Sequence, residues 1–512
     1  MDNSKANNKI ARNTAFLYIR LAFILLVSLY TTRVVLNVLG VVDYGIYNVV
    51  AGFVSLFSFL NASMSISVQR FYSFKKGSDG QQGMIEVFNT SLIIQFIIMI
   101  VTLALLESFG LWYINYKMVI PETRLVAANW LFQFSVFNLA IVIMQIPFAG
   151  AIIASEKMDY YAMVGVFDVL MKLCVVLALP YVSLDKLVFY GSLILVTGIL
   201  NFLLYALYAY RKLDYIKFHL VFKKPLFKQM LSFTGWNILD YVAYMLKGQG
   251  LNVLLNAFCG PIVNAARGVA YQVSNAISGF QSNIVMAFRP QLVQSYAENQ
   301  NERVLSLMYS ASKLSFVLLG TFCVPIILEI DFILQLWLKG VVPEYTVPFT
   351  IIVLINMLIS SLNTPLSQVT QAVGKLRNYQ IYRNVITLCV IPVSWFALKC
   401  GASPVAVFII SFIITIIVHP VSMVLLHQIF PYSYINYCLK VLLPCLAFLL
   451  FAPVVPFMVK CLLIESVGRF LAVSLISVIT SAVTAMMIVF DKAERNMVLG
   501  WMSKIIKRSK RK

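Results

Sequence analysis

LVFYGSLILVTGILNFLLYALYAY, Leu187–Tyr210, runs for 24 residues without an Asp, Glu, Lys or Arg. Coiled as an α-helix it would extend about 36 Å, at 1.5 Å per residue. That is enough to cross a hydrocarbon core of about 30 Å. Ser91–Leu106 and Phe470–Phe490 are runs of the same kind, with no period-2 alternation to suggest strands. Over all 512 residues the chain is 61% hydrophobic and 12% charged, with a mean hydropathy of +0.86. A soluble chain carries about twice that charged fraction, and no soluble core absorbs so many such runs. The expected class is all-α: a polytopic helical membrane protein.

Fourteen spans are expected, at roughly 14–38, 44–68, 87–112, 125–153, 160–182, 187–210, 229–257, 262–288, 306–330, 346–373, 379–398, 403–427, 437–459 and 467–490. The seventh, eighth and tenth are the weakest by hydropathy, being rich in Asn, Gln and Ser. With the N-terminus inside, roughly 25 Lys and Arg fall on the cytoplasmic side against roughly 7 outside, which places both termini in the cytoplasm. Met1–Arg12 is polar without a cleavable signal, so the first span is expected to target the chain. The net charge of +20 is thus spread as membrane topology requires, and nucleic acid is not needed to explain it. The tail, 491–512, places Val498, Trp501, Met502, Ile505 and Ile506 on one helical face and ends in six residues of which five are basic. It reads as an interfacial helix on anionic lipid headgroups, or as a solvated basic end that reinforces topology.

The eight cysteines show no CxxC pairing, and His219, His419 and His427 are scattered, so no metal site and no cofactor are expected. No nucleophile, phosphate loop or metal motif rises above background, and the chain does not read as an enzyme.

The chain repeats itself. An offset of 219 carries Leu36-Asn37 onto Leu255-Asn256, Ala51 onto Ala270, Ser55 onto Ser274 and Arg70 onto Arg289. An offset of 218 carries Asn138, Pro147, Ala154, Lys157 and Tyr161 onto Asn356, Pro365, Ala372, Lys375 and Tyr379. Six spans separate the copies, so both enter the membrane in the same direction. Parallel repeats of this kind are related by an axis along the membrane normal, with a substrate path between them. The expected organisation is a six-helix lobe at 1–210, a second at 211–430, two extra helices at 431–490 and the basic tail at 491–512.

Polar residues inside spans must face protein or water. Asn264, Arg267, Gln272, Asn275, Ser278 and Gln281 form a stripe on the eighth span. Asn48, Ser55, Ser58, Ala62, Ser65 and Gln69 form a small-polar one on the second, and Asn356, Ser360, Asn363, Thr364, Ser367 and Gln371 one on the tenth. They suit the lining of a water-filled cavity, and they also suit close helix packing. Arg20, Arg33, Lys247 and Arg267 are cations within spans, fit to bind an anionic cargo through phosphate oxygens. Lys313, near a span end, is expected to snorkel to the interface. Asp168 and Lys172 are expected to neutralise each other, and Asp240 and Lys247, seven apart, to do the same. Arg70 and Arg289 read as topology anchors at a cytoplasmic entrance.

The stretches Asn13-Thr14-Ala15-Phe16-Leu17-Tyr18-Ile19-Arg20, Val38-Leu39-Gly40-Val41-Val42-Asp43-Tyr44-Gly45-Ile46-Tyr47-Asn48, Gly260-Pro261-Ile262-Val263-Asn264-Ala265-Ala266-Arg267-Gly268 and Arg289-Pro290-Gln291 resemble bacterial polysaccharide (O-antigen type) flippases. That family shares a superfamily with multidrug exporters and the peptidoglycan-precursor flippase. The resemblance covers nearly the whole chain through loose patterns. It implies two six-helix lobes around a cationic cavity in the bacterial inner membrane. It implies undecaprenyl-diphosphate oligosaccharide as cargo, last helices that guide the lipid tail, and polysaccharide polymerase and other assembly enzymes as partners. The rival of the same fold is a cation-coupled multidrug exporter, which wants carboxylates in the first lobe. Spans 1 and 2 carry arginines and no acid. A membrane glycosyltransferase, polymerase or ligase ranks third, because the outer loops are short and hold few acids.

Overall fold

The computed structural model describes residues 13–14, 16–24, 27, 31, 34–35, 38–39, 43, 46–47, 50–51, 53–54, 57–116, 120–183, 185–218, 223–338, 342–492 and 494–496. Arg33, Asn48 and the tail beyond 496 lie outside the described residues. Every described residue from 13 to 54 is helical, and no strand occurs among the described residues. A bilayer offers no water to unpaired N–H and C=O groups, so the helix, which satisfies its own, is the natural element.

Helix α1 is Ser58–Ser78. It is followed by α2 (Gly80–Tyr116), α3 (Glu122–Ala154), α4 (Met158–Tyr181) and α5 (Lys186–Lys212). Helix α6 is Lys224–Ala297. After it come α7 (Asn301–Leu328), α8 (Thr346–Val373), α9 (Arg377–Lys399), α10 (Val405–Ile429), α11 (Tyr434–Leu462) and α12 (Val467–Val489). All except α1 and α6 are long and apolar enough to cross a membrane. Those ten coincide with the third to sixth and the ninth to fourteenth expected spans. Phe96, Ile97, Ile100, Val101 and Leu105 are exposed along α2, an outward apolar stripe that suits lipid and would be a liability in water.

The seventh and eighth spans fall within α6, whose helical pattern is continuous over 74 residues. Drawn straight, it would measure about 110 Å. Arg267, however, donates through Nη2 to the carbonyl of Gly248 at 2.8 Å and through Nη1 to Asn252 Oδ1 at 3.3 Å. Residues so far apart meet only if the chain reverses between 252 and 267, the segment that holds Gly260-Pro261 in the sequence. Helix α6 is a hairpin that turns back on itself between 252 and 267.

The described residues form two compact units, one from Asn13 to Ile238 and one from Leu239 onward. In the first, α3 packs against α1, α2, α4 and α5. Glycine permits close approach there: a Cβ at Gly150 on α3 would sit 2.7 Å from Val68 Cγ1 on α1. In the second unit, α8 packs against α7 and α10, and α9 packs against α10. The arrangement of α2, α3, α4 and α5 thus recurs as α7, α8, α9 and α10.

Backbone conformation repeats with it. Left-handed φ occurs at Gly80 (63°) and at Asn299 (59°), which are 219 apart. It occurs again at Glu156 (57°) and Gly374 (84°), which are 218 apart. Left-handed backbone is rare outside glycine and asparagine, so its return at the repeat offset, with Pro147 and Pro365 inside α3 and α8, ties the two units together.

One difference comes from the C-terminal helices. In the most apolar stretch, 22% of α2 is buried, against 61% of its counterpart α7. Helices α11 and α12 pack on α7 and cover the face that α2 leaves open.

Candidate functional site

Of the two cavity cations expected in the first unit, Arg20 lies among the described residues. Its Cζ lies 4.7 Å from the centroid of the Tyr161 ring on α4. The side chain runs flat against α4 at Gly165, where a Cβ would fall 2.1 Å from Arg20 Nε. That Nε is buried without a hydrogen-bond partner. Asp168, one turn further along α4, is already engaged, by Lys172 at 2.7 Å and by Asn201 at 2.6 Å. The expected Asp168–Lys172 pair is therefore present. Arg20 meets no carboxylate among the described residues.

The second unit brings Lys247 and Arg267 together on the α6 hairpin, since Arg267 bonds the carbonyl of the residue after Lys247. Arg267 Cζ also lies 4.6 Å from the Tyr271 ring, one turn along. Its partners are a carbonyl, an amide and a ring, so its charge is held but not neutralised. Lys247 is half-buried with no hydrogen bond or ion pair among the described residues. It does not pair with Asp240, contrary to expectation. Asp240 accepts from Arg383 on α9 instead, because two helical turns along one helix is a longer reach than a neighbouring helix's guanidinium. Lys313 does not snorkel either. Only 3% exposed, it bonds Glu494 and lies 3.7 Å from Asp491. The packing of α11 and α12 on α7 buries it, and the chain after α12 supplies the carboxylates.

Gln272 and Asn275 are exposed on α6. Asn264 and Asn356 are half-buried, each with a side-chain oxygen that has no partner. Asn363 is buried and its Oδ1 lies 2.8 Å from His419 Nδ1, which fits helix packing. Arg70 is 8% exposed, its Cζ within 4.8 Å of the Phe71 and Phe233 rings and 5.4 Å of Phe74. Arg289 donates from Nε to Gln368 Oε1 at 2.7 Å. Both entrance arginines are thus held by groups of their own unit.

Sequence reasoning missed Tyr271 and Gly165, and met Tyr161 only as a repeat marker. Tyr271 stands four residues after Arg267, a spacing that puts both on one face. Gly165 left no such signal, since a glycine inside an apolar helix has many uses. A guanidinium laid on a ring keeps its hydrogen-bonding edge free. Such an edge suits the paired oxygens of a phosphate.

No protein-family model matches the chain, and no curated protein sequence matches it. Solved structures do. The chain is similar to a multidrug-resistance MATE family transporter of the MOP superfamily in an outward-facing conformation, with TM-score 0.73 and 13% identity over 84% of this chain and 98% of that one. It is similar to a MATE transporter in a bent conformation, with TM-score 0.72 and 14% identity over 84% and 97%. A MOP superfamily transporter from Pyrococcus furiosus gives TM-score 0.70 and 14% identity over 84% and 98%. The description of that protein is of a binding pocket with reversed polarity, suggesting a different function. The fold is MATE-like. The chain is a multi-pass, all-α membrane protein, and what it carries must be argued from its own side chains.

Proposed function

We propose that this chain is a transporter that moves an anionic lipid-linked cargo, undecaprenyl-diphosphate oligosaccharide, from the cytoplasmic to the periplasmic leaflet of a bacterial inner membrane by alternating access. One observation carries the reading: three cations in the expected first, seventh and eighth spans, Arg20, Lys247 and Arg267, have no carboxylate partner among the described residues. Lys172, Arg383 and Lys313, also within spans, each have at least one. An unmatched cation in a bilayer is costly unless water or an anion meets it. A diphosphate headgroup supplies that anion, and the exposed Gln272 and Asn275 further along α6 can hydrogen-bond a sugar. The reversed pocket polarity described for one structural neighbour fits a scaffold whose pocket charge varies with cargo.

The rival is a cation-coupled multidrug exporter, supported by the multidrug-resistance transporter among the structural neighbours. The two readings separate in liposomes holding the purified protein. Movement of a fluorescent undecaprenyl-diphosphate oligosaccharide between leaflets, lost in Arg20→Ala and Arg267→Ala, is the expected result. Export of small organic cations, with no lipid movement, would replace this proposal by its rival.

A further inference from the structure

The repeat allows the surroundings of Arg20 to be compared with those of Arg383. The offset that carries Tyr161 onto Tyr379 also carries Gly165 onto Arg383. Arg383 Cζ lies 5.6 Å from the Tyr379 ring, as Arg20 Cζ lies 4.7 Å from Tyr161. Each unit therefore sets one guanidinium over the equivalent tyrosine of an equivalent helix, α4 or α9.

The guanidiniums arrive by different routes. In the second unit it grows from α9 itself. In the first, α4 has Gly165 at that position, and Arg20 reaches in from another helix to fill the space. A Cβ at Gly165 would lie 2.1 Å from Arg20 Nε, 2.9 Å from Cδ and 3.0 Å from Cζ. Any larger residue would have to displace the guanidinium. Glycine destabilises a helix interior relative to alanine, and here only glycine leaves the room.

Their electrostatic partners differ as well. Arg383 donates to Asp240 and, at 3.3 Å, to Gln380 Oε1. Arg20 lies on the ring and against bare backbone, with Asp168 occupied by Lys172 and Asn201. The Nε is buried against α4, so the Nη groups of a guanidinium fixed by stacking and stripped of carboxylates are what an external anion with paired oxygens would meet.

The geometry assigns to Gly165 and Tyr161 the positioning of Arg20 as a phosphate subsite in the first unit, while its counterpart in the second unit is closed by Asp240. This rests on the reading of Arg20 as a cation that meets the cargo's diphosphate. Gly165 and Tyr161 act through Arg20 and need not touch the cargo.

The test is a double-mutant cycle on the full-length protein in lipid nanodiscs, with undecaprenyl diphosphate as the probe. Arg20→Ala and Gly165→Ala should each weaken binding by about tenfold or more. Gly165→Ala should add nothing in the Arg20→Ala background, because the group it displaces is gone. Equal weakening by Gly165→Ala in both backgrounds, or none in either, would overturn the assignment. Tyr161→Leu adds no atom beside the guanidinium and serves if the Gly165 variant does not fold. It should weaken binding several-fold, again only when Arg20 is present, and equal loss in both backgrounds overturns the assignment too. Wild-type binding by Arg20→Ala would instead defeat the phosphate reading itself.

Discussion

Lys313 on α7 and Glu494, just past α12, share an ion pair across 181 residues of chain, with side chains only 4% and 10% exposed. Glu494 Oε1 also accepts from Ser310 Oγ at 2.6 Å. The backbone N–H of Asp491 donates to Glu494 Oε2 at 3.0 Å, while Asp491 Oδ1 accepts from the N–H of Glu494 at 2.9 Å. That exchange is a capping box, which begins a new helical turn where α12 ends. One carboxylate thus pins the start of the basic tail to the side of α7.

Removing a single partner should harm more than removing both. Lys313→Met leaves Glu494 buried and uncompensated, at a cost of about 3–5 kcal/mol. Lys313→Met with Glu494→Leu should recover most of that loss, since an apolar pair has no charge to desolvate. Thermal melting in detergent reads the difference. Equal melting temperatures for the single and double variants would show that the pair is not coupled.

Acid should loosen the first unit near Arg124. Its guanidinium bridges two carboxylates, with Nε 2.7 Å from Asp43 Oδ1 and Nη2 3.1 Å from Asp185 Oδ1. Asp185 also caps α5, accepting from the N–H of Leu187 at 3.0 Å and of Val188 at 3.2 Å. The hydrogen bond from Arg124 is the chief cause that holds the Asp185 carboxyl below its ordinary range, and the capping N–H groups add to it. A depressed carboxyl stabilises the fold above its unfolded value, about 3.9, and that stability is lost as pH falls through the lower folded value. The melting temperature should therefore fall more gently below about pH 4 in Asp185→Asn than in the wild type. Identical slopes would remove Asp185 from the account.

Ten of the fourteen span positions were legible in the sequence because a run such as Leu187–Tyr210 carries its length and polarity locally. The repeat was legible because prolines and tyrosines recur at fixed offsets, and the left-handed pairs Gly80/Asn299 and Glu156/Gly374 follow it in the backbone. Charge pairing across helices was not. Helical spacing names only same-helix neighbours, so it found Asp168–Lys172 and proposed Asp240–Lys247, whereas the partner of Asp240 lies 143 residues away. Lys313 misled for a related reason. Its place near a span end is a local property, but its burial comes from α11 and α12, far along the chain. Of the site residues, Arg20 and Arg267 were visible as charges in apolar runs, while Gly165, which makes room for Arg20, left no mark.

Helix α11 is held to α7 partly by the absence of an atom. A Cβ at Gly320 would lie 2.5 Å from Cε1 of Phe448, and Phe448 is fully buried beside Phe316, with ring centroids 6.4 Å apart. Gly320→Val should force the ring aside and destabilise the protein by about 1–3 kcal/mol, as over-packing does. Gly320→Val with Phe448→Leu should recover part of that, because the smaller side chain reopens the space. Melting temperatures of the two variants decide it, and a silent Gly320→Val would mean that α11 moves aside freely.

Asp240 offers the sharpest contrast between the units. If its carboxylate is what closes the second unit's guanidinium to external anions, Asp240→Asn should open it. Arg383 would then lie over Tyr379 in the electrostatic state that Arg20 has over Tyr161. Binding of undecaprenyl diphosphate should tighten by about fivefold, near 1 kcal/mol, and the gain should vanish in Asp240→Asn with Arg383→Ala. Arg383→Ala alone should leave the affinity at the wild-type value, since that guanidinium is already matched. Unchanged affinity in Asp240→Asn, with the protein folded by thermal melting, would mean that the second unit's guanidinium cannot be reached by the cargo with or without a carboxylate partner.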